Sequence, residues 1–157
     1  SYNFEDPRTH SRYVEFSTRY GGFYPATQDG PVSAIGPAHA PHTAEDKAAG
    51  AAGMVGLETA FGVCYTKLCR MEGLPLELLS FLMSSGPAQV LGLEDRKGLL
   101  APGYDADLVL VDIDHLYTVD AAKLHSKSKN CPYDGEHLYG RVVTTLKAGR
   151  ITYQSEA

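Results

Sequence analysis

Two histidines in a short segment are the residues of this sequence best suited to chemistry. His39 and His42 lie in the stretch GPAHAPHTAEDK at 36–47, where they form an H-x-x-H pair. Imidazole is a common ligand of metal ions. Pro41 between the two histidines predicts a loop rather than one face of a helix. The pattern leaves open a metal-binding pair and, against it, histidines that brace the loop or face solvent.

Carboxylates near these histidines offer a second kind of chemistry. Glu45 and Asp46 follow His42 in the same segment, and Glu58 lies in MVGLETAF at 54–61. We interpret Glu58 as a buried structural carboxylate at the start of a helix, where the positive end of the helix dipole favours its charge. Three other histidines have no partner at an informative spacing and are expected to be structural or on the surface: His10, His115 and His137.

The elements that must position these residues are predicted from apolar periodicity. Residues 32–35 form a short apolar run between glycines and prolines, which predicts a buried strand opening into a loop. In LETAFGVCYTKLCRME, apolar residues recur at steps of three or four, which predicts a helix ended by Gly73. A second helix is predicted from about Pro75, with Gly86 and Pro87 ending it. The apolar face of the first helix consists of Leu57, Phe61, Cys64, Leu68 and Met71.

From about Lys97 the pattern changes to that of β-structure. A turn is predicted at Pro102 and Gly103, and the apolar run at 108–111 predicts a strand. The stretch GRVVTTLKAGRITYQ predicts a hairpin that turns through residues 147–149. Residues 1–30 show neither the helical repeat nor the alternating pattern of a strand, and they remain unassigned.

Composition excludes several classes of protein. The chain of 157 residues is 43% hydrophobic and 21% charged, which is typical of a globular protein. A net charge of −5 without a basic stripe argues against a nucleic-acid partner. No apolar run reaches the roughly 18 residues that span a bilayer, and the polar start lacks a signal peptide's apolar core, so no membrane association and a cytoplasmic location are expected. Three cysteines without a metal-binding or disulfide pattern are expected to be reduced thiols: Cys64, Cys69 and Cys131.

Three motifs together resemble the C-terminal part of dihydroorotase, the cyclic-amide hydrolase of pyrimidine synthesis in the amidohydrolase superfamily. They are GPAHAPHTAEDK, MVGLETAF and LHSKSKNCPYDG, the last at 124–135. The resemblance implies an α/β fold in which residues 32–96 form the C-terminal portion of a metal-dependent-hydrolase (β/α) barrel. Residues 97–157 are then part of a small β-sandwich, and residues 1–31 stay unassigned.

One residue departs from the family's first motif, which normally reads T-D-H-A-P-H-T-x-E-E-K. Ala38 stands where the resemblance places the aspartate that binds metal and shuttles the proton. An alanine methyl group does neither. The rate enhancement of roughly 10²- to 10⁴-fold that acid-base catalysis contributes is therefore lost, together with one metal ligand. Glu45 and Asp46 match ordinary positions of the motif and are not expected to replace it. The sequence therefore predicts no catalytic and no metal-binding residue, and no zinc bound by this chain alone, although zinc is the family's metal.

The resemblance also implies a substrate site. In dihydroorotases the second histidine of HAPH binds the substrate carboxylate, which places that role on His42. Backbone groups ahead of the G-x-E-T stretch also contact the substrate, and by position they belong to Ala52 and Gly53. Glycine at 53 would let the main chain approach the ligand closely.

Three interpretations of the whole chain remain open. It is a dihydroorotase-like hydrolase of dihydroorotate and carbamoyl aspartate that is inactive as an isolated chain, or a noncatalytic structural partner of aspartate transcarbamoylase, or a truncated or frame-shifted product without function. Ala38 favours the second interpretation, and the atypical residues 1–30 favour the third. Size counts against the second, because such partners keep a complete barrel, which needs roughly 200 residues or more. Unpaired strand edges expected at 108–111 and 142–146 predict a homo-oligomer or a need for a partner.

Overall fold

Two short parallel strands lie at the start of the part of the chain that can be described. The computed structural model describes residues 34–155 and, in addition, the backbone of Tyr13–Glu15. Strand β1 (Tyr13–Glu15) pairs in parallel with β2 (Ala34–Gly36). The strand predicted at 32–35 is confirmed where it overlaps β2, which continues to Gly36, and Ala34 and Ile35 are buried as predicted. Apart from the backbone of β1, residues 1–33 lie outside the described residues, and so do the other predictions made for them.

The first predicted helix forms, and it changes from α-helical to π-helical turns along its length. A short helix α1 (Ala44–Ala48) precedes it, and α2 (Ala60–Cys64) then continues directly into π-helical turns at Tyr65–Met71. The chain leaves the helix at Gly73, where φ is +76°. Because glycine adopts this left-handed conformation without steric cost, Gly73 ends the helix as predicted.

The predicted apolar face of this helix is buried in its middle and exposed at its ends. Cys64 and Leu68 are each only 1% exposed, and Phe61 packs against the same cluster. Leu57 and Met71, by contrast, are 58% and 66% exposed. Leu57 precedes the first turn, and the wider π-helical turns shift the register of the side chains before Met71. The periodicity therefore predicts the centre of the face correctly and both ends wrongly.

The second helix runs further than predicted. Helix α3 (Leu76–Ser80) passes through π-helical turns at Phe81–Ser85 into α4 (Gly86–Val90) without a break. The prediction that Gly86 and Pro87 end this helix is wrong. Proline lacks the N–H that an α-helical turn needs, but the preceding π-helical turns already have a different hydrogen-bond pattern and accommodate it.

The second half of the chain forms an antiparallel sheet. Its strands are β3 (Leu108–Thr118), β4 (His137–Lys147) and β5 (Arg150–Gln154), in the order β3-β4-β5. The predicted hairpin joins β4 to β5, and Ala148 and Gly149 at its turn both have positive φ, as a type I′ turn requires. The predicted turn before β3 is confirmed as well, because the N–H of Tyr104 donates to the carbonyl of Ala101 across Pro102 and Gly103.

Two clusters of buried side chains hold the helices together and against the sheet. One joins Leu68 and Leu79 to Ile35 of β2, and the other joins Val63 of α2 to Leu138 of β4. The division of the chain at residue 96 into a barrel portion and a sandwich portion stays a prediction. Within residues 34–155, no helix is long and apolar enough to cross a membrane.

The edges of the sheet are only partly those predicted. Residues 142–146 lie in β4, which is paired on both sides, so the edge predicted there is wrong. The hairpin folds β5 back along β4, so that β3 and β5 are the edge strands of the sheet formed within residues 34–155. Apolar side chains are left in solvent on both edges, with Val109 56%, Leu110 55% and Ile151 60% exposed.

We expect the 157-residue chain to self-associate through these edge strands. Exposed apolar edges pair with other chains, and a charge placed on them prevents the pairing. Sedimentation at several concentrations should show reversible association of the parent chain that Leu110→Lys or Ile151→Lys reduces. Met71→Lys, at an exposed helix end, is the control and should leave the association unchanged. A parent chain that stays monomeric at all concentrations would contradict this expectation.

Candidate functional site

The loop that carries the two histidines is folded against the loop that leads into α2. The N–H of Ala40 donates to the carbonyl of Met54 at 2.7 Å, and the N–H of Gly56 donates to Nδ1 of His39 at 3.3 Å. His39 thus joins the two loops, which fits the loop-bracing interpretation of the pair.

His42 lies beside Gly53, so the structure brings together two of the residues assigned to the substrate. Gly53 has φ of +132°, and a Cβ atom at this position would lie 2.7 Å from the carbonyl oxygen of Ala40 and 2.9 Å from Cδ2 of His42. Only glycine permits so close an approach. The third assigned residue, Ala52, precedes Gly53 and is exposed. The N–H groups of Ala52 and Gly53 donate to no other residue in the range 34–155.

Side chains from the first and third motifs hold the main chain at 51–53. Lys47 Nζ donates to the carbonyls of Ala51 at 2.6 Å and Gly53 at 3.0 Å. Asn130 Nδ2 donates to the same Gly53 carbonyl at 2.6 Å, while the Asn130 carbonyl accepts from the N–H of Val55 at 3.0 Å. Sequence reasoning missed Lys47 and Asn130. Membership in the motifs was their only signal, since neither residue type indicates a main-chain contact.

Helix α1 is what places Lys47. Its N-cap, Thr43, accepts a hydrogen bond from the N–H of Asp46 at 3.1 Å, and the Asp46 carboxylate accepts from the N–H of Thr43 at 3.3 Å. This reciprocal pair is a capping box, and it fixes a helix of only one turn. The hydrogen bonds with Thr43 lower the pKa of the Asp46 carboxyl. The Asp46 carboxylate is therefore engaged in the helix cap, and Glu45 is exposed in the first turn.

Ala38 lines a small apolar pocket to which both loops contribute residues. Burial raises the pKa of the Cys64 thiol to about 12 and that of the Tyr133 hydroxyl to about 12, so both stay protonated at neutral pH. Within residues 34–155, no three His, Cys, Asp or Glu side chains converge to hold a metal ion. The position where the family pattern has aspartate thus lies among side chains without acid-base function. The other side chains of the pocket include Ile35, Met54 and Val63.

Glu58 is structural, as predicted, but its surroundings differ from the prediction. Its side chain is 30% exposed rather than buried. The carboxylate accepts hydrogen bonds from the N–H groups of His125 at 2.7 Å and Ser126 at 2.9 Å, and lies 3.0 Å from Nδ1 of His125. Partial burial opposes its charge, yet these hydrogen bonds outweigh burial and hold the pKa of the Glu58 carboxyl below its usual value. Glu58 therefore anchors the third motif to the start of α2.

Glu58→Gln is expected to remove a pH-dependent part of the stability. Because folding lowers the pKa of this carboxyl, its contribution is present above the ordinary value of 4.5 and is lost as the pH falls through the lower folded value. Thermal melts should therefore separate parent and variant most at neutral pH and bring them together in acid. Glu94→Gln, at an exposed carboxyl, is the control. A difference between parent and Glu58→Gln that is the same at every pH would contradict this assignment.

Comparison with known proteins agrees with the three motifs. The model of the Amidohydrolase family matches residues 18–153. The dihydroorotase of Clostridium botulinum is 50% identical over 129 residues, which cover 82% of this chain and 32% of that protein. The dihydroorotase of Anaeromyxobacter dehalogenans is 43% identical over 135 residues, covering 83% of this chain and 30% of that protein.

Solved structures agree on the fold. The L-hydantoinase (dihydropyrimidinase) from Arthrobacter aurescens matches with a TM-score of 0.74 and 33% identity, covering 78% of this chain and 29% of that chain. The chain thus spans about a third of the length of the curated relatives it matches.

The predicted fold class, an α/β portion of a barrel hydrolase followed by part of a sandwich, is confirmed. The chain belongs to the amidohydrolase family, and the resemblance to dihydroorotases predicted from its motifs is confirmed.

Proposed function

We propose that this chain forms the carboxylate-binding side of a dihydroorotase-like site. The substrate is a small cyclic amide that carries a carboxylate, dihydroorotate, and the matching open-chain form is carbamoyl aspartate. With alanine at position 38, the chain does not itself interconvert the two. The observation that supports the proposal is the close contact of His42 with Gly53, in a loop held from both sides.

The donors in this loop suit a carboxylate. An ionised carboxylate only accepts hydrogen bonds, and its two oxygens accept several at once. The imidazole of His42 supplies one donor, and the N–H groups of Ala52 and Gly53 supply two more that are engaged with no other residue of the described chain. Hydrogen bonds to an ionised group are roughly twice as strong as those between neutral groups. These residues therefore bind and orient the substrate through its carboxylate.

Zinc, the metal that the dihydroorotase resemblance implies, is not fitted by the described residues. Ala38 has no ligand atom, and Nδ1 of His39 already accepts a hydrogen bond from Gly56. Structural and catalytic zinc sites need at least three protein ligands, and residues 34–155 bring no such set together. The described residues therefore support no metal-dependent step.

A second candidate is a noncatalytic structural partner of aspartate transcarbamoylase or of further copies of this chain. Two observations favour it, the apolar surroundings of Ala38 and the apolar side chains exposed on β3 and β5. A structural partner needs no substrate. Binding of dihydroorotate at His42 therefore distinguishes the two candidates.

Titration of the chain with dihydroorotate, followed by calorimetry or NMR, tests the proposal. His42→Ala is expected to weaken binding by roughly tenfold or more, because a hydrogen bond to a charged group contributes about 1.5–3 kcal/mol. His137→Ala is the matched control, since His137 contacts Thr118 on the sheet. Equal affinity of parent and His42→Ala would refute the assignment of the carboxylate site.

Assays in both reaction directions, together with metal analysis of the purified chain, test the proposal that this chain does not itself interconvert dihydroorotate and carbamoyl aspartate. We expect no turnover above a metal-free control and no stoichiometric zinc. One tightly held zinc per chain together with turnover would contradict it.

A further inference from the structure

We propose that Lys47 and Asn130 are positioning residues that together hold residues 51–53 in the conformation that faces His42. The inference rests on the proposed function, because it concerns the same carboxylate-binding loop. Both side chains donate to one atom, the carbonyl oxygen of Gly53, from Lys47 Nζ at 3.0 Å and from Asn130 Nδ2 at 2.6 Å. They come from the first and third motifs and reach the loop from two different elements.

One hydrogen bond from Lys47 orients one of the two N–H groups proposed to bind the carboxylate, that of Ala52. The carbonyl of Ala51 points at the ammonium group of Lys47, with the two atoms 2.6 Å apart. In a trans peptide unit the C=O and the following N–H point in opposite directions. The N–H of Ala52 is therefore turned away from Lys47 and left without a partner among residues 34–155. Lys47 acts on the substrate through this peptide unit.

The loop needs such external support because of its own sequence. Residues 50–53 read Gly-Ala-Ala-Gly, and Gly50 and Gly53 both have positive φ, a region that glycine samples freely. The side chains of Ala51 and Ala52 bear no polar atom that could fix the loop. The N–H groups of Gly50 and Ala51 tie the start of the loop to carbonyls of α1, and beyond them its conformation depends on the hydrogen bonds that the carbonyls of Ala51 and Gly53 receive from Lys47 and Asn130.

Both donors are themselves anchored. Lys47 is the last-turn residue of α1, whose capping box fixes its only turn. Asn130 follows the segment that Glu58 holds through the N–H groups of His125 and Ser126. The Asn130 carbonyl also accepts from the N–H of Val55, so the residue contacts the loop on both sides of Met54. The loop is thus clamped between α1 and the third motif.

The test uses Lys47→Met, Asn130→Leu and the double variant in the full 157-residue chain, with hydrogen exchange followed by mass spectrometry. The N–H groups of Ala40 and Val55 report on the loop, because their acceptors are the carbonyls of Met54 and Asn130. Each single variant should speed their exchange by roughly tenfold, the factor that about 1.4 kcal/mol of lost hydrogen bonding gives. In the double variant the factor should exceed the product of the two single factors, because the Gly53 carbonyl keeps one donor in each single variant and loses both in the double variant. Lys123→Met, at a side chain 85% exposed, is the matched control and should change nothing.

A conservative replacement of Lys47 completes the exchange experiment. Lys47→Arg keeps a cationic donor and is expected to restore part of the protection that Lys47→Met removes. Unchanged exchange in both single variants would overturn the inference, and so would a rise over the whole chain that Lys47→Arg does not reverse.

Dihydroorotate affinity separates this inference from the function on which it rests. If the parent chain binds the ligand, each single variant should bind it roughly tenfold more weakly, and unchanged affinity would overturn the role in positioning the site. If the parent does not bind while loop exchange still rises in the variants, the proposed function fails and the clamp on the loop stands.

Discussion

Gly53→Ala is expected to weaken dihydroorotate binding by more than about tenfold and to speed hydrogen exchange in the loop. The added Cβ atom would lie 2.7 Å from the carbonyl oxygen of Ala40 and 2.9 Å from both Ala40 Cβ and His42 Cδ2. Real Cβ atoms do not approach main chain so closely, so the two loops must separate. The φ of +132° adds backbone strain of about 1–3 kcal/mol for any residue with a side chain. Both effects move residues 52 and 53 away from His42.

Gly50→Ala is the matched control for this substitution. Gly50 lies in the same loop with φ of +90°, but a Cβ atom there would meet nothing within 4 Å. This variant therefore carries backbone strain without the steric overlap. Calorimetry with dihydroorotate and exchange measurements on both variants isolate the effect of the close approach. If the two variants lose affinity to the same extent, strain explains the loss and the contact with His42 does not.

Local sequence patterns predict those parts of the fold whose causes are local. The helix around Cys64 and Leu68 follows from a repeat of three to four residues, and its end at Gly73 follows from the conformational freedom of glycine. The hairpin turn at 148–149 follows from a small residue and a glycine between two β-rich runs. Each of these features is decided by residues within one or two turns of each other.

The parts that sequence reasoning missed are decided by contacts between distant residues. Asn130 reaches the Gly53 carbonyl across 77 positions, and no pattern near either residue indicates this contact. The helix passes through Pro87 because of the π-helical turns before it, which depend on how the helix packs. The same applies to Glu58, whose hydrogen-bond partners, His125 and Ser126, lie in another motif.

The three motifs form one connected set of contacts in the structure. The first supplies His42 and Lys47, the second leads into α2 with Glu58, and the third returns to the loop through Asn130. Resemblance to a family identifies such motifs together without saying how they touch. The contacts show that the third motif supports the loop at 51–53 rather than lying apart from it.

Ala38→Asp is expected to restore neither turnover nor zinc binding, and to destabilise the chain at neutral pH. A single carboxylate does not complete a metal site whose other ligands are lacking among residues 34–155. Position 38 is half-buried and lines a pocket with Ile35, Met54 and Val63, where an ionised group loses part of its hydration. Placing a polar group in such surroundings without a partner costs about 1–3 kcal/mol, and a charge costs more.

The pH dependence of this loss identifies its cause. Apolar surroundings raise the pKa of an introduced carboxyl in the folded chain above its unfolded value. The folded variant then binds more protons than the unfolded one, so the destabilisation is absent in acid and develops as the pH rises through the unfolded value. Thermal melts over this range, with Ala101→Asp on an exposed turn as control, should show the effect at position 38 alone. Hydrolysis of dihydroorotate by Ala38→Asp above the parent level would instead show that ligands converge on position 38 from residues outside 34–155.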